Sequence, residues 1–283
     1  MMDHKKRAIV TMLVSAFAFS LMGVFVKMTG DIPVIQKSVF RTVTIMVISY
    51  YMMKQQKVNL SEIRHIKLLG IRSVTGTVGI ILNYYAIDHL ILSDANVIFR
   101  LSTIFVMFFS WIFLKERMNH TQGLAAIIAF SGVVLIIKPQ FAIEVIPYAL
   151  ALLGAASAAG AYTALRALGG KEKPVLIVFF FSLFTTVVLL PYVAFTFVPM
   201  TLSQWIYAVA AGVCAAVGQF GVTFAYKYAP AREVSIYNYY GVIFSAMFGM
   251  IFFGTFPDGW SLVGYVIVFA SSYLMYYSNK IKN

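Results

Sequence analysis

Ile104-Phe-Val-Met-Phe-Phe-Ser-Trp-Ile-Phe113 and Ile243-Phe-Ser-Ala-Met-Phe-Gly-Met-Ile-Phe252 are one apolar pattern written twice, 139 positions apart. The same displacement sets Lys27 on Arg166, Gly30 on Gly169, Gly79 on Gly218, Ala86 on Ala225 and Asp94 on Glu233 without a gap. Each half carries five apolar segments of about 20 residues, the length that crosses a ~30 Å hydrocarbon core as a helix. Five is odd, so the second half must cross the bilayer in the opposite sense to the first, which is the internal symmetry of a transporter. The expected fold is therefore an all-α polytopic membrane protein. Its ten transmembrane helices form two inverted five-helix repeats, residues 1–139 and 140–283.

Composition agrees. Of the 283 residues 61% are hydrophobic and 11% charged, against about one quarter charged in an ordinary soluble domain. The net charge of +12 does not point to nucleic acid, because 16 of the 22 Lys and Arg fall in segments that are cytoplasmic if Lys5-Lys6-Arg7 is. That is the positive-inside bias; it places both termini in the cytoplasm and the protein in the cytoplasmic (inner) membrane as a multi-pass chain. The start resembles a signal peptide, but hydrophobicity continues to Val26, which makes it a first span. Seven of eight prolines sit at loops or span ends, so the helices are expected to be continuous. Two spans are rich in small residues, Gly154–Gly160 and Ala211–Gly221, which lets helix backbones approach closely in lipid.

An arginine near the bilayer centre costs about 2.5–3.5 kcal/mol on insertion scales and needs a partner or a purpose. Arg72, about four residues from a cytoplasmic span end, is expected to snorkel to water. Arg41 is balanced between snorkelling and lining a cavity. Arg100 is the strongest candidate, because Asn96, Phe99, Arg100 and Thr103 share one face of the fourth span. The repeat maps them onto Ser235, Asn238, Tyr239 and Val242 of the ninth. The third and eighth spans pair likewise, with Asn83 set on Val222 and Ile80 on Gln219. Tyr84, Tyr237 and Tyr239 are aromatic candidates for stacking on substrate, although tyrosines also anchor helices at headgroup level. The expected substrate site is Arg100, Asn96, Thr103, Asn83, Tyr84, Gln219, Tyr237, Asn238, Tyr239 and Arg41.

No acid lies deep in a span. Asp94 and Glu233 occupy equivalent first turns of the fourth and ninth helices, where capping competes with a role in gating or coupling. All four histidines fall outside the spans, and there is no Walker loop, G-x-S-x-G or H-E-x-x-H. No catalytic residue, metal or cofactor is expected, and no enzyme.

The chain resembles the drug/metabolite transporter superfamily, in particular its EamA-type ten-helix members. The resemblance lies in Phe40-Arg41, Arg72-Ser-Val-Thr-Gly76, Tyr85-Ala86, Ser93-Asp94-Ala95, Phe113-Leu-Lys-Glu-Arg117, Gly132-Val-Val134, Tyr239, Phe253-Gly254 and Pro257-Asp258, and covers essentially the whole chain. Two positions depart from it: Thr103 follows Leu101-Ser102 where proline is common, and Thr255 stands where an acid often follows Phe-Gly. The resemblance implies a central cavity and alternating access; it implies no particular substrate. The expectation is a secondary transporter for a small polar metabolite, first an amino acid or similar zwitterion or organic anion. Its partners would be that small molecule and the lipid bilayer, with no nucleic acid, as a monomer or homodimer. A flippase or accessory subunit for a lipid-linked substrate, and less readily an intramembrane enzyme, remain as alternatives.

Overall fold

The computed structural model describes residues 4–89, 98–116, 118–137, 145–254 and 256–281. Asn96, Asp94 and the side chain of Tyr84, three of the expected site groups, lie outside what is described. Every element among the described residues is helical. We number the long helices α1 (His4–Met28), α2 (Val34–Gln55), α3 (Ile66–His89), α4 (Ser102–Leu114), α5 (His120–Ile137), α6 (Val145–Leu168), α7 (Pro174–Thr196), α8 (Leu202–Tyr228), α9 (Tyr240–Phe253) and α10 (Gly259–Ile281). Six of the helical stretches are long and apolar enough to cross a membrane, and Ile98–Leu114, His120–Ile136 and Gly259–Leu274 are shorter apolar helices. Large apolar side chains such as Phe195, 92% exposed, face outward, while serines and threonines are buried inside, as a lipid-facing molecule requires.

The two halves interlock rather than sit side by side. α1 packs on α8, and the equivalent α6 packs on α3. Small residues make both crossings close. A methyl on Gly79 would stand 3.0 Å from the Ala158 backbone, and one on Gly218 would stand 2.9 Å from the Phe19 ring. Gly79 and Gly218, and likewise Phe19 and Ala158, are each 139 apart, so the duplication read in one dimension is a contact symmetry in three. Ser15 donates to the Gly218 carbonyl at 2.7 Å, adding a polar tie where lipid offers none. Two further large contacts pair a helix with its own counterpart, α2 with α7 and α5 with α10.

The expectation of continuous helices fails at one equivalent place in each half. The ninth span opens with a short turn, Ala231–Val234, passes through a 3₁₀ segment, Ser235–Tyr239, and becomes α-helical at Tyr240. In the fourth span Leu101 donates to Ile98 and Ile104 to Leu101, at 3.0 and 2.9 Å, the i to i+3 spacing of a 3₁₀ turn. No proline sits inside either segment. In the ninth span Ser235 Oγ bonds the Ala231 carbonyl at 2.7 Å and lies 3.2 Å from the Tyr226 hydroxyl, so local side-chain bonds compete with the helical ladder. Both spans thus change hydrogen-bond register where Arg100 and Tyr239 sit. Both also end in a left-handed residue, Lys115 (φ 55°) and Gly254 (φ 64°), again 139 apart.

Candidate functional site

Arg100 projects from the start of the fourth span toward the ninth. Its Nη1 donates to the Asn238 main-chain carbonyl at 3.4 Å, and a methyl on Gly241 would lie 3.5 Å from the same nitrogen. Ser20 on α1 donates to the Gly241 carbonyl at 2.8 Å, fixing the third wall. A cavity of about 70 Å³ opens there, lined by Phe19, Ser20, Arg100, Asn238, Gly241 and Ser245 among others. That is far below the ~300–1,000 Å³ of pockets enclosing a drug-sized ligand, and suits one anionic group with a few waters. No carboxylate pairs with Arg100 among the described residues. Tyr239, wholly buried on the opposing helix, lies beside Thr103 and Arg100, yet neither its hydroxyl nor Thr103 Oγ1 has a well-formed hydrogen bond. Buried polar groups in native interiors are nearly always paired, so a cation with no carboxylate among the described residues, and beside it two hydroxyls in imperfect contact with each other, mark this region as the candidate site.

A model of the EamA-like transporter family matches this chain twice, at residues 6–138 and 145–277. The chain belongs to the EamA-like transporter family. The pseudopaline exporter CntI of Pseudomonas aeruginosa is 32% identical over 94% of this chain and 95% of its own length. Solute carrier family 35 member G1 of Homo sapiens is 28% identical over 92% of this chain and 76% of its own. One solved crystal structure superposes with a TM-score of 0.85 at 17% identity, covering 95% of this chain and 96% of its own, and shows the fold alone. The protein is thus a multi-pass membrane transporter and not an enzyme.

In this EamA-like transporter the other expected site residues are dispersed. Thr103, Asn238 and Tyr239 gather around Arg100. Gln219 is buried on α8 with its Nε2 unpaired, and Arg41 on α2 has a buried, unpaired Nε and only the Met22 sulfur 4.0 Å from Nη1. Asn83 lies on α3 where Gly154 of α6 crosses. Tyr237 faces elsewhere, into a groove of about 720 Å³ with Lys6, Val10, Tyr240, Phe269 and Tyr273, between α1 and α10. Glu233 sits 3.7 Å from Lys5 and 4.0 Å from Arg232, in a cluster of charged termini.

Arg72 does not snorkel. It is 3% exposed, and its guanidinium carbon lies 3.9 Å from the centre of the Phe181 ring on α7. A methyl on Gly76 would collide with its Nη1, so the side chain runs along α3 toward the C-terminal end. The repeat hinted at this: Gly76 is matched by Ala215 and Arg72 by Ala211, so the space and its occupant are absent from the second half together.

A cluster of charged residues that ties span ends together was also visible only in part. Glu116 Oε1 lies 2.7 Å from Arg166 Nε, Oε2 accepts from the Ala231 amide at 3.1 Å, and Arg166 Nη1 donates to the Tyr226 carbonyl at 2.9 Å. One carboxylate therefore ties together the ends of α4, α6 and α8 and the turn before α9. The equivalent cation, Lys27, meets the Phe253 ring at 4.1 Å, and no carboxylate among the described residues. A second tie holds the loop before α3: Glu172 Oε1 accepts from the Arg64 and His65 amides at 2.8 and 2.6 Å. Beside it Lys173 bonds Glu62 at 2.6 Å and holds that carboxyl below the usual carboxylate range.

Proposed function

We propose that this protein is a secondary transporter that moves a small polar metabolite with an anionic group, an amino acid or similar zwitterion or organic anion, across the cytoplasmic membrane by alternating access. The observation that carries the reading is Arg100: a cation at membrane depth, facing a small polar cavity, with no carboxylate partner among the described residues. A substrate carboxylate supplies the missing charge through hydrogen bonds to an ionised donor, the stronger kind in a dry site. Tyr239 and Thr103 offer it two further hydroxyls, and Arg41, Gln219 and Asn83 line the path at other depths. The halves 1–139 and 140–283 act as the two rocking units, with both termini in the cytoplasm. Kinship with a protein named as an exporter favours outward movement.

Arg100→Ala is expected to abolish substrate-specific transport in proteoliposomes while the purified protein remains monodisperse. Unchanged transport would sink the assignment. A second reading, an amphipathic or lipid-linked cargo entering sideways, draws on the groove between α1 and α10, whose walls are largely apolar. A thermal-shift screen of water-soluble metabolites against lipids separates the two: stabilisation by lipids alone would favour the second.

A further inference from the structure

The groove of about 720 Å³ between α1 and α10 is polar at one end and apolar at the other. Lys6 on α1 and Tyr273 on α10 stand at its rim, and one helical turn further along the same two helices come Val10 and Phe269. Under the positive-inside reading α1 leaves the cytoplasmic face and α10 returns to it, so the rim lies at headgroup level and the apolar pair deeper, in hydrocarbon. Val10, Phe269 and Tyr273 are 45%, 49% and 69% exposed, so the groove opens on the lipid side. Tyr237 is buried at its floor, 6.2 Å from the Tyr240 ring, which meets Phe269 edge-on at 4.9 Å. The rim is basic. Glu233 lies against Lys5 at 3.7 Å and Arg232 at 4.0 Å, and no carboxylate among the described residues pairs with Lys6.

The copy of this groove, 139 positions away, lacks these groups. Val145, Ile98, Leu101, Val133 and Val134 stand where Lys6, Tyr237, Tyr240, Ser272 and Tyr273 stand here. Two lining positions, Ile9 and Ala270, exchange in the other sense, with Tyr148 and Ser131. A lipid-facing seam needs only apolar side chains, and the first half supplies them. A lysine, a serine and three tyrosines gathered at the cytoplasmic end of the second seam fit a ligand with an anionic head and an apolar body. The cytoplasmic leaflet offers that chemistry, since its anionic lipids attract basic residues close to the surface.

We propose that one anionic phospholipid of the cytoplasmic leaflet resides in this groove, its phosphate met by Lys6 and its acyl chain laid on Val10 and Phe269. Tyr237 and Tyr240 flank Asn238 and Tyr239, the residues that face Arg100, so the lipid rests on the short segment that also walls the Arg100 cavity. It is a fixture of the fold and not a cargo.

Native mass spectrometry of the purified full-length protein, titrated with dioleoyl phosphatidylglycerol and dioleoyl phosphatidylcholine, tests it. The wild type should retain one phosphatidylglycerol about fivefold better than phosphatidylcholine, the effect of one lysine near an anionic headgroup. Lys6→Gln should erase that preference and Lys6→Arg should keep it. Lys171→Gln, which removes an exposed lysine of the turn after α6, should leave it unchanged. Ala270→Trp fills the groove without touching a charge and should lower retention of both lipids, with gel filtration confirming that each variant folds. Equal retention of the two lipids by the wild type, a preference that survives Lys6→Gln, an equal loss in Lys171→Gln, or full retention by Ala270→Trp overturns the proposal. Protein-dependent flipping of fluorescent phosphatidylglycerol in proteoliposomes, abolished by Lys6→Gln, would make the lipid a cargo and overturn it as well.

Discussion

Glycine 76 and alanine 215 hold equivalent places in the two halves, and the difference of one methyl decides whether an arginine can fold inward. At Gly76 that methyl would meet the Arg72 guanidinium and come within 2.7 Å of the Phe181 ring. Gly76→Ala is therefore expected to lower stability by about 1–3 kcal/mol through overpacking, although alanine is the better helix former by about 1 kcal/mol. Thermal melts in detergent measure this, and a variant as stable as the wild type would show that the arginine has room elsewhere. Reading residues one at a time singled out Arg100 as a candidate from its neighbours Asn96 and Thr103, but assigned Arg72 to the wrong solvent. Distance from a span end sets whether a side chain can reach water; the packing of α7 against α3 sets whether it does.

Among the elements, the fourth and ninth helices carry most of the asymmetry. Each passes through a 3₁₀ turn and ends in a left-handed residue, and the fourth delivers an acid, Glu116, to the basic residue it meets. The Arg166–Glu116 pair is partly buried and holds four chain segments at the end that the positive-inside reading makes cytoplasmic, whereas Lys27 meets, among the described residues, an aromatic face. Opening toward the cytoplasm must break that pair. We expect Glu116→Gln to favour the cytoplasm-open form by about 1–2 kcal/mol, roughly a five- to thirtyfold change in its population. Maleimide labelling of Ala229→Cys, in a Cys214→Ser background, reads this from the cytoplasmic side. A labelling rate unchanged by Glu116→Gln would remove the latch from the mechanism. The motif Phe113–Arg117 and the pairing of Lys27 with Arg166 were legible in the chain, but their meeting was not, since 50 residues separate Glu116 from Arg166.

At the scale of the molecule, inversion has a consequence that reporters can detect. An odd number of spans per half sets residue 140 across the membrane from both termini, and the positive-inside bias predicts the termini inside. A fluorescent protein fused after Asn283 should fluoresce, and alkaline phosphatase fused after residue 140 should be active; the reverse pattern would overturn the assigned orientation.

Length, apolar runs and the 139-residue period determine by themselves that this chain spans a membrane ten times in two inverted halves. Lipid cannot hydrogen-bond a backbone, so each span must be a helix, and an odd helix count must invert its copy. The family could be read at that level too, because it is defined by those same ordered segments. Only the tertiary structure decided which polar groups share a space. Phe19 and Ser20 became neighbours of the site because α1 crosses into the opposite half, and Tyr237 left it for the groove beside α10. Helical periodicity tells which face a residue occupies, whereas the partner of that face is set by close approach at glycines such as Gly79 and Gly218, a property of two helices together.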